Sequence, residues 1–535
     1  MNLGLYGFGP AHHRTWIAVD FGIGFPGDEA PGADVVFPDI SYLEEERINL
    51  AGILITHAHE DHYGALIDLW PRLRVPVYAT AFTAGLLNAK IASEPGAEVI
   101  PVTIVAPGGR FMVGPFEVEY VNVTHSIPEA NALAIRTPLG LVLHSGDWKL
   151  DETPVIGQPT DEKRLREIGE EGVLALVCDS TNAYRDGRSP SEREVALEIE
   201  DVVATARGRV AFTTFSSNVG RICSIARAAA KAGREVVVVG RAIRRMLDVA
   251  GELGMLSGLP PFLEEEAFQH LPRNKVLALL TGSQGESRAA LARIANDDHR
   301  HVTFDKGDLV VFSSRAIPGN EVPINRIINS LVARGVRVMT DRDRLVHVSG
   351  HPRREEMRHL YGWLKPEISV PVHGEAMHLA AHAELAEELG VKSVMRIENG
   401  TMLRLAPDAP GVADEITAGR LYRDGRLIGT QEELGIAERR RLSFAGQVSV
   451  AIVIDAKGEL LADPQVGLTG LPALDAAERP LEESVLNAAL GAIDSIPRRR
   501  RHAEIVREAV RRAVRAEVAG IWGKKPNCTV FLTVV

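Results

Sequence analysis

Cysteine is scarce: Cys178, Cys223 and Cys528 are the three in 535 residues, and they lie far apart. That excludes a disulfide framework and a CxxC metal knuckle, and it sets a reducing cytoplasm as the default compartment. No apolar run reaches about 18 residues, so no membrane-spanning helix is expected. The first ten residues, MNLGLYGFGP, lack the basic start and apolar centre of a signal peptide. TGSQGES at 281–287 is Gly-rich but lacks the GK[ST] of a nucleotide P-loop, so ATP use is not expected. Internal repeats and long low-complexity tracts are also missing. Positive charge is in deficit, with 60 Lys and Arg against 71 Asp and Glu and a net charge of -11. Such a balance argues against a nonspecific nucleic-acid coat protein. It leaves open a nucleic-acid enzyme whose metals and local basic groove hold the phosphates.

What is present is a soluble globular composition, 45% hydrophobic and 24% charged, in a chain long enough for roughly three or four domains. The stretch 53–66, ILITHAHEDHYGAL, carries the densest chemistry. A strand-like run ends at Thr56, and His57, His59, Asp61 and His62 follow within six residues. Strand patterns at 15–23, 116–124, 139–147 and 173–181 deliver Asp20, His125, Asp147 and Asp179 at their C-terminal ends. An α/β scaffold with a site along one sheet edge behaves this way. ALIDLWPRL reads as a short helix stopped near Pro71. From about 190 to 345 the chain alternates strands (RVAFTTF, EVVVVG, VLALLTG, DLVVFSS, GVRVMTD) with helices, the pattern of an inserted parallel-sheet domain. The first domain resumes at LVHVSGH and runs through ISVPVHGE into a strand-poor, turn-rich stretch from 401 to 425. Strands, two helices and the last strand NCTVFLTVV form a final unit. The expected domains are 1–185, 186–345, 346–430 and 431–535.

His57-Ala58-His59 places two imidazoles on one metal from a loop just past a strand, and Asp61 and His62 come one turn later, able to face a second ion. His125 and Asp147 supply further ligands, and a carboxylate can bridge two cations. Two metals about 3.5–4 Å apart lower the pKa of a shared water and clamp a phosphate in line. A solvated polar loop is the competing reading of HAHEDH. His125 alone could be a capped loop histidine, and Asp147 alone a turn aspartate. Only the ensemble makes them ligands.

The HAHEDH stretch after Asp20, with His125 and LHSGDWK at 143–149, resembles the metallo-β-lactamase superfamily in its nucleic-acid-processing branch with an inserted β-CASP domain. CDST at 178–181, FSSNVGR at 215–221, TGSQGES, IPGNE at 317–321, VSGH at 348–351 and PVHGE at 371–375 narrow the resemblance to the bacterial ribonuclease J family, over nearly the whole chain. The fold this implies is a metallo-β-lactamase αββα sandwich with an inserted parallel-sheet β-CASP domain and a small α/β C-terminal domain. The resemblance implies His57, His59 and His125 on one metal, Asp61, His62 and His373 on the other, and Asp147 between them. Asp179, His351 and His373 match the three β-CASP motifs, and histidine rather than valine at the third goes with action on RNA. His351 is the expected donor of a proton to the leaving 3′ oxygen; a pKa near 6.5 suits that work, although a core histidine is the other reading of the residue by itself.

Ser216, Ser217 and Asn218 precede a helix, where hydroxyl and amide groups either cap the helix or bind phosphate; the sequence alone favours the cap. In the family this loop, with His347, Val348, Ser349, Gly350 and His351, contacts RNA and its 5′ monophosphate. The implied cofactors are two divalent metal ions, zinc first, with manganese or magnesium as alternatives. The implied activity is 5′-to-3′ exonuclease action on 5′-monophosphorylated RNA, with endonuclease cleavage in the same site, by two-metal hydroxide attack on the phosphodiester. A place in RNA maturation and mRNA decay is implied as well. A homodimer or homotetramer and RNA-degradation partners are implied too, and no membrane.

His378 and His382, four apart on a helix, read as exposed helix histidines rather than a metal pair, and His12-His13 as part of a turn. The arginine runs at 439–441, 498–501 and 507–515 read as a solvated face, with an RNA or partner surface as the other reading. Family members carry a Gly-rich segment resembling GGxGEIG ahead of the position of Met1. Either a late-assigned start or a missing strand and loop at the edge of the first sheet is therefore expected. Two other classes stay in view: a glyoxalase II-like thioester hydrolase, which has no need of the insert or of VSGH, and a non-catalytic RNA-binding subunit, whose signature would be lost ligands.

Overall fold

Strands that point alternate side chains to opposite faces need cover on both, and two sheets here cover each other. The computed structural model describes residues 1–535. By its contacts the chain forms two compact units, residues 1–23 with 38–419, and residues 24–37 with 420–535. In the first unit a five-stranded sheet runs in the order Gly4–Phe8, Thr15–Val19, Leu50–Leu54, Val77–Ala79, Val102–Ile104. Its first pair is antiparallel and the others are parallel. A seven-stranded sheet runs Ser393–Val394, Ile368–Val372, Val173–Asp179, Gly140–His144, Asn131–Thr137, Phe116–Asn122, Arg110–Val113. Ile17, Val19 and Leu54 of one sheet pack on Val118, Tyr120, Leu133 and Ile135 of the other. The far face of the larger sheet buries Leu143 and Leu176 against Leu165, Met357, Leu360 and Leu385 from helices. The result is the expected αββα sandwich.

The inserted domain holds a six-stranded sheet in the order Phe262–Leu263, Glu235–Val239, Val276–Leu280, Val210–Thr213, Leu309–Phe312, Arg337–Met339, parallel throughout. Its strands read as unbroken apolar runs because helices cover both faces. Phe212, Val236, Val238, Leu277 and Leu279 enter one cluster, while Ala211, Val237, Val239, Ala278 and Leu280 enter the other. In the second unit Gln447–Ile454 lies between Gln465–Thr469 and Asn527–Val534, backed by helices Leu481–Asp494 and Ala503–Trp522.

Three local expectations change. The helix Leu66–Leu73 continues two residues past Pro71 and stops where Arg74 turns left-handed. The 401–425 stretch is not strand-poor: Thr401–Arg404 and Gly411–Glu415 form a hairpin, and Arg420–Asp424 joins a second small sheet. Gly411–Glu415 is mostly exposed and lacks the alternation that marks a half-buried strand. His382 is not an exposed helix histidine but fully buried. Its Nδ1 lies 2.8 Å from Ser180 Oγ and its Nε2 2.8 Å from Tyr361 Oη. The arginines of the last helix fit the solvated-face reading, since Arg507 pairs with Glu504, and Arg511 and Arg512 with Glu508, one turn away. No helix is long and apolar enough to cross a membrane.

Burial pushes the His382 imidazole down to about 3. Its folded pKa therefore lies below the unfolded value near 6.5, and the unfolded chain takes up the proton first. The stability tied to this group is complete above pH 6.5 and is lost as the pH falls toward 3. Between pH 7 and pH 4 the parent should lose roughly 3 kcal/mol more unfolding free energy than His382→Gln. Denaturant unfolding of both proteins at the two pH values reads the difference.

Candidate metal centre

Several neighbouring strands that end at one edge of the sandwich carry a polar residue there. The Leu50–Leu54 strand leads into Thr56–His62, and the Thr15–Val19 strand beside it runs straight into Asp20, at φ +64. Aspartate tolerates this left-handed conformation better than most residues. The turn aims its carboxylate at its neighbours: Oδ1 accepts Thr56 N–H at 2.8 Å, the Thr56 hydroxyl is 2.9 Å from Oδ2, and His62 Nδ1 donates to Oδ2 at 2.7 Å. With its own proton spent on Asp20, the Thr56 hydroxyl accepts from His57 Nδ1 at 2.9 Å. Gly22 lets the His-rich loop close, because a Cβ there would sit 1.7 Å from the Asp61 carbonyl oxygen.

The same outward pinning recurs. His125 Nδ1 donates to the Gly350 carbonyl at 2.7 Å, and Gly350 must be glycine, since a Cβ would lie 2.6 Å from the His125 ring. His373 Nδ1 reaches the Thr181 hydroxyl at 2.8 Å, and that hydroxyl donates to Asp179 Oδ1 at 2.7 Å. With one nitrogen of each ring committed outward, the other points inward.

The inward atoms form two adjoining donor sets. His57 Nε2 and His125 Nε2 lie 3.0 and 3.1 Å from His59 Nδ1, and both lie 3.8 Å from Asp147 Oδ2. Asp61 Oδ2 lies 3.6 Å from His62 Nε2 and 3.5 Å from His373 Nε2. Asp147 also faces this second set, with Oδ2 3.2 Å from His62 Nε2 and Oδ1 3.5 Å from His373 Nε2. Asp147 Oδ1 is buried with no hydrogen-bond partner. Imidazole and carboxylate donors crowded together, with a buried carboxylate oxygen left over, fit divalent cations and fit little else.

Burial, with the neighbouring imidazoles, holds His57 and His125 well below the usual histidine range, and burial brings His59 down to about 4. These three rings stay neutral, as ligands must. Burial also opposes charge on His62, but Asp147, Asp61 and Asp20 outweigh it and hold its pKa up at about 10. His373 is raised well above its ordinary value against burial, chiefly by Asp147. Without a cation, the carboxylates of the second set hold protons that a cation would displace.

Asp179 and His351 stand beside these sets. His351 Nδ1 donates to Asp179 Oδ2 at 2.7 Å and lies 3.9 Å from Asp147 Oδ2. Burial opposes its charged form, yet Asp179 and Asp147 raise its pKa. Its Nε2 has no protein partner, so a proton held there can be given to a substrate.

The loop 216–218 and the segment 346–351 come together. Arg221 Nη1 donates to the Val346 carbonyl at 2.8 Å, and the Phe215 and His347 rings are 6.2 Å apart. Asn218 caps its helix, its Oδ1 accepting Arg221 N–H at 2.9 Å. Arg221 itself is fully buried and spends its remaining donors on Glu192 and Ser313. Ser216 and Ser217 remain half-buried in the loop, and His347 is buried with Nδ1 unpaired. The Val348 side chain packs into the core of the inserted domain, which leaves only its backbone for a ligand. Ser349 Oγ accepts from Asn182 Nδ2 at 2.9 Å.

The roles of two residues were not read from the sequence. Asp20 stood out at a strand end beside Asp147 and Asp179, yet its carboxylate is spent on Thr56 and His62 rather than in a donor set. Glu356 gave no signal beyond lying three residues into a helix. Its buried carboxylate accepts backbone N–H groups from Leu150, Ser189 and Arg353, each at 2.9 Å. One side chain thus ties the Asp147 loop, the start of the insert and the segment after His351.

Family models match four segments: "Beta-lactamase superfamily domain" over 15–161, "Ribonuclease J, beta-CASP domain" over 207–331, "Zn-dependent metallo-hydrolase RNA specificity domain" over 335–396 and "Ribonuclease J C-terminal domain" over 434–535. Ribonuclease J of Sinorhizobium meliloti is 58% identical over 536 residues, covering 100% of this chain and 95% of that protein. The chain belongs to the ribonuclease J family. It is a metal-dependent ribonuclease, and membership brings divalent metal ions as cofactors and RNA as substrate. Ribonuclease J of Thermus thermophilus is 36% identical, covering 95% of this chain and 89% of its own length. That of Helicobacter pylori strain B128 is 37% identical over 86% of this chain and 67% of its own length. A crystal structure of a protein of unknown function from Enterococcus faecalis V583 shares the fold, with a TM-score of 0.50 and 18% identity over 72% of this chain and 92% of that one.

Removing the support of the donor sets should weaken them without unfolding the chain. Asp20→Asn keeps the left-handed turn but takes the proton acceptor from His62. Affinity for zinc or manganese should fall about 10–100-fold in a chelator-competition titration. Glu356→Gln leaves a buried N–H unpaired and should cost about 1–3 kcal/mol in urea unfolding.

Proposed function

We propose that this ribonuclease degrades RNA from a 5′-monophosphorylated end in the 5′-to-3′ direction, and that the same centre also makes endonuclease cuts. The observation that carries the reading is the pairing of two adjoining donor sets with His351, whose Nδ1 is fixed by Asp179 and whose Nε2 is free. The donors assigned to one ion are His57, His59 and His125, and to the other Asp61, His62 and His373, with Asp147 between them. Zinc suits the nitrogen-rich first set, and manganese or magnesium are alternatives for the oxygen-richer second. When bound, two such cations supply Lewis acidity toward the scissile phosphodiester and a water acidic enough to react near neutral pH.

The chain's own residues do the rest. Asp147 and Asp61 would hold the cations in place, so that positive charge already faces the scissile phosphate where negative charge develops and nothing has to reorganise. His351 protonates the leaving 3′ oxygen from Nε2, and Asp179 stabilises the cationic ring before the transfer. Ser216, Ser217 and the backbone N–H groups around Asn218, together with the 347–351 segment, take the 5′ monophosphate. Arg221 is too deeply engaged to do so. The division serving this function is 1–185 with 346–430 for the hydrolase, 186–345 for the β-CASP insert and 431–535 for the C-terminal domain. We place the enzyme in the cytoplasm, as a homodimer or homotetramer, in RNA maturation and mRNA decay.

Matched RNAs with 5′ monophosphate or 5′ triphosphate, incubated with the metal-loaded protein, test the reading. The monophosphorylated RNA should release mononucleotides at least 10-fold faster, and the triphosphorylated one should yield internal cuts only. His57→Ala should abolish both. His351→Ala should lower kcat by roughly 10²–10⁴ while leaving metal content unchanged. Equal rates on the two ends would remove the 5′-monophosphate pocket from the account. Full activity in His351→Ala would remove its role as acid.

A further inference from the structure

The centre is closed on one side and open on the other. The side chains of His57, His62 and Asp147 are at most 4% exposed, whereas Asp61 is 42%, His351 21% and His373 20% exposed. Substrate therefore arrives across the edge formed by the last three residues. A tight turn stands at that edge. Thr181 holds His373, and Asn182 Nδ2 donates to the His351 carbonyl at 3.2 Å. Ala183 N–H bonds back to Ser180, and Arg185 N–H to Asn182. Tyr184 sits at the tip, 44% exposed, rooted to both catalytic-edge histidines.

Two groups set the Tyr184 ring. Arg185 Nε donates to its hydroxyl at 2.9 Å, and the guanidinium carbon lies 5.2 Å from the ring centroid. The His378 ring lies 5.3 Å away, tilted by 49°. His378 is itself fixed, because its Nδ1 accepts Glu375 N–H at 3.0 Å. It packs on Gly374, next to His373, where a Cβ would come within 2.8 Å of the His378 Cβ. An aromatic ring, an imidazole and a guanidinium so displayed contribute little to any core. Exposed Glu375 and Asp186 flank them, so the spot disfavours a phosphate and leaves a neutral π face as the fitting ligand.

We propose that Tyr184, with His378 and Arg185, is a stacking subsite for one unpaired nucleobase beside the scissile phosphate. The inference rests on the RNA-cleaving reading of the centre and adds to it a contact with a base rather than with the backbone. Stacking tolerates any base, since each has a π face, but it requires that the base be out of a duplex. The subsite would therefore favour single-stranded RNA near the cut without favouring a sequence.

The test uses the full-length, metal-loaded protein and short 5′-monophosphorylated RNAs carrying one abasic nucleotide, scanned through the positions on either side of the cut. In the parent, one position should raise KM on the order of 10-fold with kcat little changed. Tyr184→Ala should raise KM by the same factor on intact RNA and be indifferent to the abasic nucleotide at that position. Tyr184→Trp should restore both behaviours. If Tyr184→Ala leaves KM unchanged, or remains as sensitive as the parent to every abasic position, the subsite is excluded. A fall in kcat with lowered thermal stability, not rescued by Tyr184→Trp, would mark a structural residue instead. If the parent cuts no RNA, the functional reading fails. Anisotropy titration of the labelled RNA then still decides the subsite, with equal Kd for parent and Tyr184→Ala overturning it.

Discussion

A neutral imidazole has two nitrogens and one proton, and this centre depends on where that proton is kept. In His57, His62, His125 and His373 it is spent outward, on Thr56, Asp20, the Gly350 carbonyl and Thr181. The inward nitrogens of His57 and His125 are then left as acceptors, whereas those of His62 and His373 face carboxylates that keep a proton on them until a cation displaces it. Crowding buried acceptors in this way costs about 1–3 kcal/mol for each one left unpaired. The chain keeps the arrangement because a cation converts each unpaired acceptor into a ligand. The left-handed Asp20, the missing side chains at Gly22 and Gly350 and the Thr181–Asp179 relay all serve that arrangement of protons.

The acidic chain and its polyanionic substrate are reconciled at the same place. Net charge of -11 is spread over the surface, while the reacting centre waits for cations that carry the positive charge. The basic residue most easily assigned to phosphate, Arg221 of FSSNVGR, is instead interior and joins the loop before its helix to Glu192, Ser313 and Val346. The loop before that helix is thus held from below by an ion pair, while Ser216 and Ser217 stay half-buried at its surface.

Much of the fold was legible because local pattern and tertiary role agree. The apolar runs of the inserted sheet are buried on both faces, and the strand-end positions of His125, Asp147 and Asp179 follow from the sheet edge they share. His57 through His62 announced themselves by spacing alone. Legibility failed where a residue's role is set by partners distant in the chain. His382 looks like a surface histidine until Ser180 and Tyr361, 202 and 21 residues away, close on its two nitrogens. Val348, inside a loop of polar chemistry, turns out to be core of the inserted domain. In the 401–415 hairpin the strand Gly411–Glu415 is mostly exposed and shows no period, and backbone pairing with Thr401–Arg404 fixes it. Glu356 is one acidic residue among several in HPRREEM, and nothing local distinguishes the one that reaches three separate N–H groups.

That glutamate has a mechanical consequence. The chain leaves the hydrolase near Ser189 and returns to it near Arg353, and both crossings are fastened to one carboxylate that also grips Leu150. Glu356 is therefore a shared clamp: the two crossings of the chain and the loop that carries Asp147 are held at fixed spacing by one side chain, so His351 and Asp147, which come from segments about 200 residues apart, are positioned against each other by a single carboxylate.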